Sequence, residues 1–256
     1  MTREVFENAK RVVVKVGSSS ITGENASQID RLVEVLAGAH SAGREVVLVS
    51  SGAIATGMPL LNLVAKPDDL ATSQALASVG QSRLIARYQT QLEKFGIIAG
   101  QVLLTADDLE GEETRANAAR AMQRLLQLRV LPIVNENDTT ATAEIRFGDN
   151  DRLAALVAVL VEADALVLLS DVDSLYTAPP TESNAERIEE VEFSDNLDWV
   201  DIQGTSTGVG TGGAVTKVLA AKVANAEGIP VLLTSANNVS QALAGEDVGT
   251  LFKAAK

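Results

Sequence analysis

The sequence has no cysteine and a single histidine, His40, among its 256 residues. Without cysteine there are no disulfides, thiolate nucleophiles or sulfur ligands, and one histidine lacks the partners for a zinc site. His40 falls late in a helical stretch, where a structural role outweighs a catalytic one. Basic charge is also short, with 21 Lys and Arg against 34 Asp and Glu and a formal net charge of −13. Such a chain repels a phosphate backbone, so no nucleic-acid partner is expected. A cationic start followed by an apolar run is missing, as is any uncharged apolar stretch of about eighteen residues, so no membrane partner is expected and the location should be cytoplasmic. Aromatics make up only 3% of a chain that is 46% hydrophobic. The core must therefore be Val, Leu, Ile and Ala, which suits buried parallel strands flanked by Ala-rich helices. Chemistry is left to lysines, carboxylates, hydroxyls and backbone amides.

What is present alternates. The run VVVKVG at 12–17 reads as a buried strand, 28–42 as a helix stopped by Gly43, and EVVLVS as a second strand ending at Ser50. A helix over 74–94, a strand over 97–104, a helix over 112–128, the strand LPIVNEND and a helix over 150–162 follow. After these come ALVLLSDVDSLY, a helix from GVGTGGAVTK to Ala226, the strand IPVLLTSA and an edge strand at 250–252. The segment 178–207, rich in Pro, Asn, Glu and Asp and carrying Trp199, reads as a loop-rich excursion covering the site. This pattern predicts an α/β fold, a three-layer αβα sandwich with a mostly parallel open sheet, in which ligands bind beyond the carboxyl ends of the strands. With no repeat, low-complexity tract or linker, residues 1–256 are expected to form a single domain.

The strand ends carry the candidate chemistry. Lys15 lies inside an apolar strand, where a bare ammonium is costly, so it either snorkels at the sheet edge or serves the Gly17-Ser18-Ser19 turn beside it. Ser51 and Gly52 open a helix whose N-terminus favours an anion, although a simple serine cap is equally compatible. In NENDTTATAEIRFGDND, the carboxylates of Glu136, Asp138, Asp149 and Asp151 crowd together with Asn135, Asn137 and Asn150, and so require a bound ammonium, lysine or metal unless they are simply solvated. GTGGAVTK combines glycines with a helix start and Lys217 one turn in, which makes a phosphate cradle or a flexible turn. Ser170, Asp171 and Asp173 are suited to a nucleotide or its magnesium.

In order and spacing, VVVKVGSSSIT, VSSGAIATG, VGQSRLI, GQVLLT, VNENDTTATAEIRFGDND, LLSDVDSLYT, GVGTGGAVTK and VGTLF resemble the amino acid kinase family over essentially the whole chain. The resemblance implies the αβα kinase fold and ATP-dependent phosphorylation of the side-chain carboxylate of L-glutamate, the first step of proline biosynthesis. It implies that Lys15 and Lys217 contact the transferred phosphoryl group and that Asp151 holds the two lysines. It places glutamate on Ser51, Asp138 and Asn150, with Asp149 near its amino end. ATP would lie on Lys15, Ser170, Asp171 and the run Thr211, Gly212, Gly213, Ala214, Val215, Thr216 and Lys217, with Mg²⁺ held mainly by the ATP phosphates. A homo-oligomer and feedback inhibition by L-proline are further implications. Where many relatives carry glycine, this chain has Ser174; where they carry Asp-Pro, it has Pro179-Pro180, so the nucleotide loop is expected to differ locally. Many bacterial relatives append a C-terminal PUA domain, whereas this sequence stops at Lys256.

A glutamate carboxylate, with a pKa of about 4.3, is ionised at neutral pH and needs no general base, which fits a site without histidine or thiol. Rival acceptors within the family are N-acetylglutamate, aspartate, carbamate and uridylate; SGAIA followed by NEND and GDND favours glutamate. A catalytically silent amino-acid or nucleotide sensor is the alternative of another class, and the intact Lys15, Asp151 and Lys217 speak against it.

Overall fold

In the computed structural model, which describes residues 2–65, 67–140, 150–197 and 213–255, the apolar runs become strands. They are β1 (Arg11–Val16), β2 (Glu45–Ser50), β3 (Ala99–Leu104), β4 (Leu131–Glu136), β5 (Ala165–Ser170), β6 (Leu175–Tyr176), β7 (Arg187–Ile188), β8 (Glu190–Val191), β9 (Val231–Ser235) and β10 (Thr250–Phe252). Between them run the helices α1 (Glu4–Asn8), α2 (Gln28–Ser41), α3 (Ala53–Leu60), α4 (Leu70–Glu93), α5 (Ala106–Glu110), α6 (Glu112–Gln127), α7 (Asn150–Leu160), α8 (Ala214–Ala226) and α9 (Val239–Leu243). Eight strands form one sheet in the order β3-β4-β2-β1-β5-β9-β10-β8, and β6 pairs with β7 in a separate hairpin.

The sheet is parallel from β3 to β9, as the βα alternation predicts. Its order reverses at β1, which has β2 on one side and β5 on the other, so the strand ends around β1 form the crevice where such folds bind ligands. One expectation is corrected by the sheet order. The segment 250–252 is not at the edge, because β10 runs antiparallel to β9 and carries β8 on its far side. Too short to read as a strand by pattern, β8 docks there through Leu251 N donating to Glu189 O and Lys253 N to Val191 O, both at 2.9 Å. The excursion at 178–207 is loop-rich up to Leu197 apart from β7 and β8, which fall on its short apolar piece; its remainder, with Trp199, lies outside the described residues.

Strand parity sorts the core into two layers. Val12, Val14 and Val16 of β1 join α1, α2, α4 and α9 in one apolar cluster, while Val13 joins α6, α7 and α8 in the other. Side chains alternate across a strand, so Lys15 shares the face of Val13 and is directed to the α7/α8 layer. By the same rule Ser50, at the end of β2, and Asn135, in β4, share the faces of Leu48 and Ile133 and meet the α4 layer. Helices α3 and α4 pack backbone to backbone, since a Cβ at Gly80 would overlap the Ala53 carbonyl oxygen and one at Gly57 would overlap that of Leu76. That contact sets where α4 lies against the strand ends.

Candidate active site

Three elements bring charge to the end of β1. Lys15 Nζ lies 2.6 Å from Asp151 Oδ1, and Lys217 Nζ lies 3.1 Å from Asp151 Oδ2. Asp151 comes from the first turn of α7 and Lys217 from the first turn of α8, the two helices that the parity of β1 places over Lys15. All three side chains are buried, with residual exposures of 6% for Lys15, 1% for Asp151 and 5% for Lys217. An unpaired charge this deep would be strongly unfavourable, so each lysine needs the carboxylate. Burial alone would push the Asp151 carboxyl up, but the ammoniums of Lys15 and then Lys217 overcome this and hold its pKa down to about 2. Thr216 Oγ1 also donates to Asp151 Oδ2 at 3.1 Å, so Thr216, expected only to line the nucleotide loop, also braces the carboxylate.

One carboxylate between two ammoniums leaves a net positive site. Gly17 adjoins it: a Cβ there would sit 3.7 Å from Lys15 Nζ, so the wall beside the ammonium carries no side chain. Gly213, extended at the N-cap of α8, precedes Ala214 and Val215, so the free amides of the first helical turn lie at the same end as Lys217. Two ammoniums, free amides and a wall without a side chain fit a polyphosphate. Ser170 closes β5, and its hydroxyl donates to Asp171 Oδ1 at 3.0 Å; the Asp171 side chain is exposed beside it. Thr211 and Gly212 lie outside the described residues. Among the described residues no three His, Cys, Asp or Glu side chains form a metal-binding group.

A second set, without charge, occupies the ends of β2 and β4. Asn150 Nδ2 donates to Ser50 O at 3.1 Å and to Asn135 Oδ1 at 2.8 Å. Asn135 Oδ1 also accepts from Glu136 N at 2.9 Å, and Asn135 Nδ2 donates to Gln81 Oε1 at 2.6 Å. Ser50 Oγ donates to Ser51 O at 3.0 Å and lies 2.9 Å from Tyr88 Oη. Tyr88 is fully buried, and burial pushes its phenol well up, so it stays protonated. Ser51 is half-buried and its amide donates to Val16 O at 3.1 Å, which joins the β2 end to β1. Gly52 follows with φ of +107°, a left-handed conformation suited to glycine, and turns the chain into α3. Asp138 is half-buried in the turn after β4, whereas Asp149 lies outside the described residues.

Lys15, Asp151 and Lys217 thus meet directly, while Ser51, Asp138 and Asn150 stand at the neighbouring strand ends. Gln81, Tyr88 and Ser50 escaped motif reading. Ser50 alone had a signal, a polar residue closing a buried apolar strand, and Gln81 and Tyr88 had none.

The fold and the site define a class: the sequence pattern of the amino acid kinase family matches residues 10–235, and the chain belongs to that family. Its relatives narrow the comparison. A protein of Clavibacter michiganensis subsp. michiganensis is 66% identical over 98% of this chain and 97% of its own length, and one of Leifsonia xyli subsp. xyli is 64% identical over 99% and 94%. A protein of Streptomyces coelicolor is 55% identical over 98% of this chain and 69% of its own. All three are named glutamate 5-kinase. The matched region makes up nearly all of the shorter relatives and about two thirds of the longer one.

Proposed function

We propose that this chain, acting as one domain in the cytoplasm, transfers the γ-phosphoryl group of ATP to the side-chain carboxylate of L-glutamate. The observation that carries the reading is the pair of buried ammoniums on one carboxylate at the sheet's switch point, with an uncharged amide pocket beside it. The relatives' names supply the amino acid. A carboxylate oxygen attacks the γ-phosphorus, the bond to the β–γ bridging oxygen breaks, and ADP leaves with that electron pair. No proton has to be removed, which suits residues that offer ammoniums and amides but no base.

Lys15 and Lys217 face the oxygens on which charge accumulates, and Asp151 holds the two lysines in place so that both reach the same group. The amides of Gly213 to Val215, with Thr211 and Gly212, receive the phosphates, and Ser170 and Asp171 the rest of the nucleotide. Ser51, Asp138, Asp149 and Asn150 bind glutamate. The nucleotide phosphates would carry Mg²⁺, which would supply further charge neutralisation there. Feedback by L-proline and assembly into a homo-oligomer belong to the same reading.

The test is to incubate the protein with ATP, Mg²⁺ and a panel of acidic amino acids, trapping acyl phosphate with hydroxylamine. Hydroxamate should form with L-glutamate and far less with L-aspartate or N-acetyl-L-glutamate, since a pocket matched to one length and one ammonium leaves polar groups unmet with the others. Added L-proline should shift the glutamate saturation curve. Equal turnover of a rival acceptor would overturn the assignment.

A further inference from the structure

Two residues of α4 touch the amide network, and neither is assigned a part in the reaction. Gln81 and Tyr88 are seven positions apart, two helical turns, and so lie on one helix face, with Leu84 buried between them. Gln81 reaches the end of β4 and Tyr88 the end of β2. The network has one direction. Glu136 N can only donate, so the Asn135 atom it meets is the carbonyl oxygen; the Asn135 amide nitrogen then faces Gln81 Oε1 at 2.6 Å. Ser50 O can only accept, so the Asn150 atom it meets is Nδ2, which also donates to Asn135 Oδ1. Asn150 is buried, and its remaining atom, Oδ1, has no hydrogen-bond partner among the described residues. Two backbone groups therefore decide that Asn150 offers an acceptor, not a donor, and Gln81 supplies the acceptor that the Asn135 amide then needs. Only one end of this chain of amides depends on a side chain that could be exchanged without touching the pocket, and that side chain is Gln81.

We infer that Gln81 is a positioning residue for the amino-acid pocket: it fixes Asn135, through which Asn150 is held with its Oδ1 presented to a donor such as a substrate ammonium. The inference rests on the proposed glutamate reading. Among the described residues the hydrogen bond of Gln81 goes to Asn135, while the lysines bond to Asp151, so its loss should be felt in glutamate binding and not in phosphoryl transfer. Replacement by an isosteric apolar side chain leaves the Asn135 amide without an acceptor and favours rotation of both asparagines.

The experiment is two-substrate kinetics on Gln81→Met, Gln81→Glu, Asn135→Ala and the double variant Gln81→Met/Asn135→Ala, beside the wild type. Gln81→Met should raise the KM for glutamate about tenfold, with kcat and the KM for ATP within about twofold. Gln81→Glu, which keeps an acceptor for Asn135, should restore most of the glutamate KM. Adding Gln81→Met to Asn135→Ala should change little, because the residue acts through its partner. Should Gln81→Met fail to fold, Gln81→Ala gives the same reading with a smaller shift, since water can take the acceptor's place. An unchanged glutamate KM with only a lower melting temperature would overturn the inference, as would equal losses in both KM values or full additivity with Asn135→Ala. A wild type that makes no glutamyl hydroxamate would instead refute the glutamate reading itself.

Discussion

The two layers of the sheet handle polarity in opposite ways at the same end of the molecule. On the α7/α8 side, Lys15, Asp151 and Lys217 form a buried ionic triad with ammoniums 2.6 and 3.1 Å from the carboxylate. On the α4 side, Gln81, Asn135, Asn150, Ser50 and Tyr88 form a neutral network whose members are joined at 2.6 to 3.1 Å. Charge acts over distance and suits a transition state in which negative charge is redistributed, whereas amides act only in hydrogen-bond contact and suit recognition of a fixed shape. Asn150 and Asp151 are consecutive on α7, so a single helix start supplies one residue to each set. On the proposed function, transfer and recognition would be adjacent in space and separable in chemistry.

The comparison breaks most completely at Asp151. Asp151→Asn removes the anion between two buried ammoniums, and removing one partner of a buried pair costs about 3–5 kcal/mol. Urea denaturation at pH 7 should show a loss of that order. The pKa of Asp151 lies at about 2 in the folded protein against an ordinary 3.8. A depressed carboxylate contributes stability that is complete above the ordinary value and disappears as pH falls through the folded one. The gap between wild type and Asp151→Asn should thus be widest above about pH 4 and narrow toward pH 2; a gap independent of pH would show that the triad is not ionic. Lys217→Ala should have the next largest effect, lowering kcat and kcat/KM together by about 10²–10³, the usual loss for one preorganised charge donor. The KM for glutamate should hardly move, and a rise in it with kcat preserved would place Lys217 among the recognition residues.

The strand and helix ends that carry the two sets were legible in local patterns, whereas the pairing of both lysines with Asp151 was an implication of the family resemblance. A lysine within VVVKVG, glycines before AVTK and carboxylates after VNEN mark strand and helix ends directly, and the βα alternation fixes which ends converge. His40 read as structural, and its Nε2 does meet the Arg129 carbonyl at 3.1 Å, with burial and then Arg129 pushing its pKa down. What stayed hidden depends on long-range packing. Gln81 sits in the middle of a 24-residue helix whose face is set by the contact of Gly80 with Ala53, and nothing in VGQSRLI shows that Gln81 would meet Asn135. The position of β10 was misjudged for a similar reason, since the strand that covers it is only two residues long.

The smallest expected effect sharpens the comparison most. Asp138 stands in the turn after β4, and if it binds glutamate as proposed, Asp138→Ala should cost one charge-assisted hydrogen bond, about 1.5–3 kcal/mol, or roughly ten- to a hundredfold in the KM for glutamate. The decisive measurement is the glutamate saturation curve of Asp138→Ala at saturating ATP, with circular dichroism confirming the fold. A curve displaced to higher glutamate that climbs to nearly the wild-type kcat, with the KM for ATP unchanged, is the expected result. A kcat that stays low at every glutamate concentration, with the glutamate KM unaltered, would contradict the separation of recognition from transfer and assign the acidic strand end to organising a metal or the lysines.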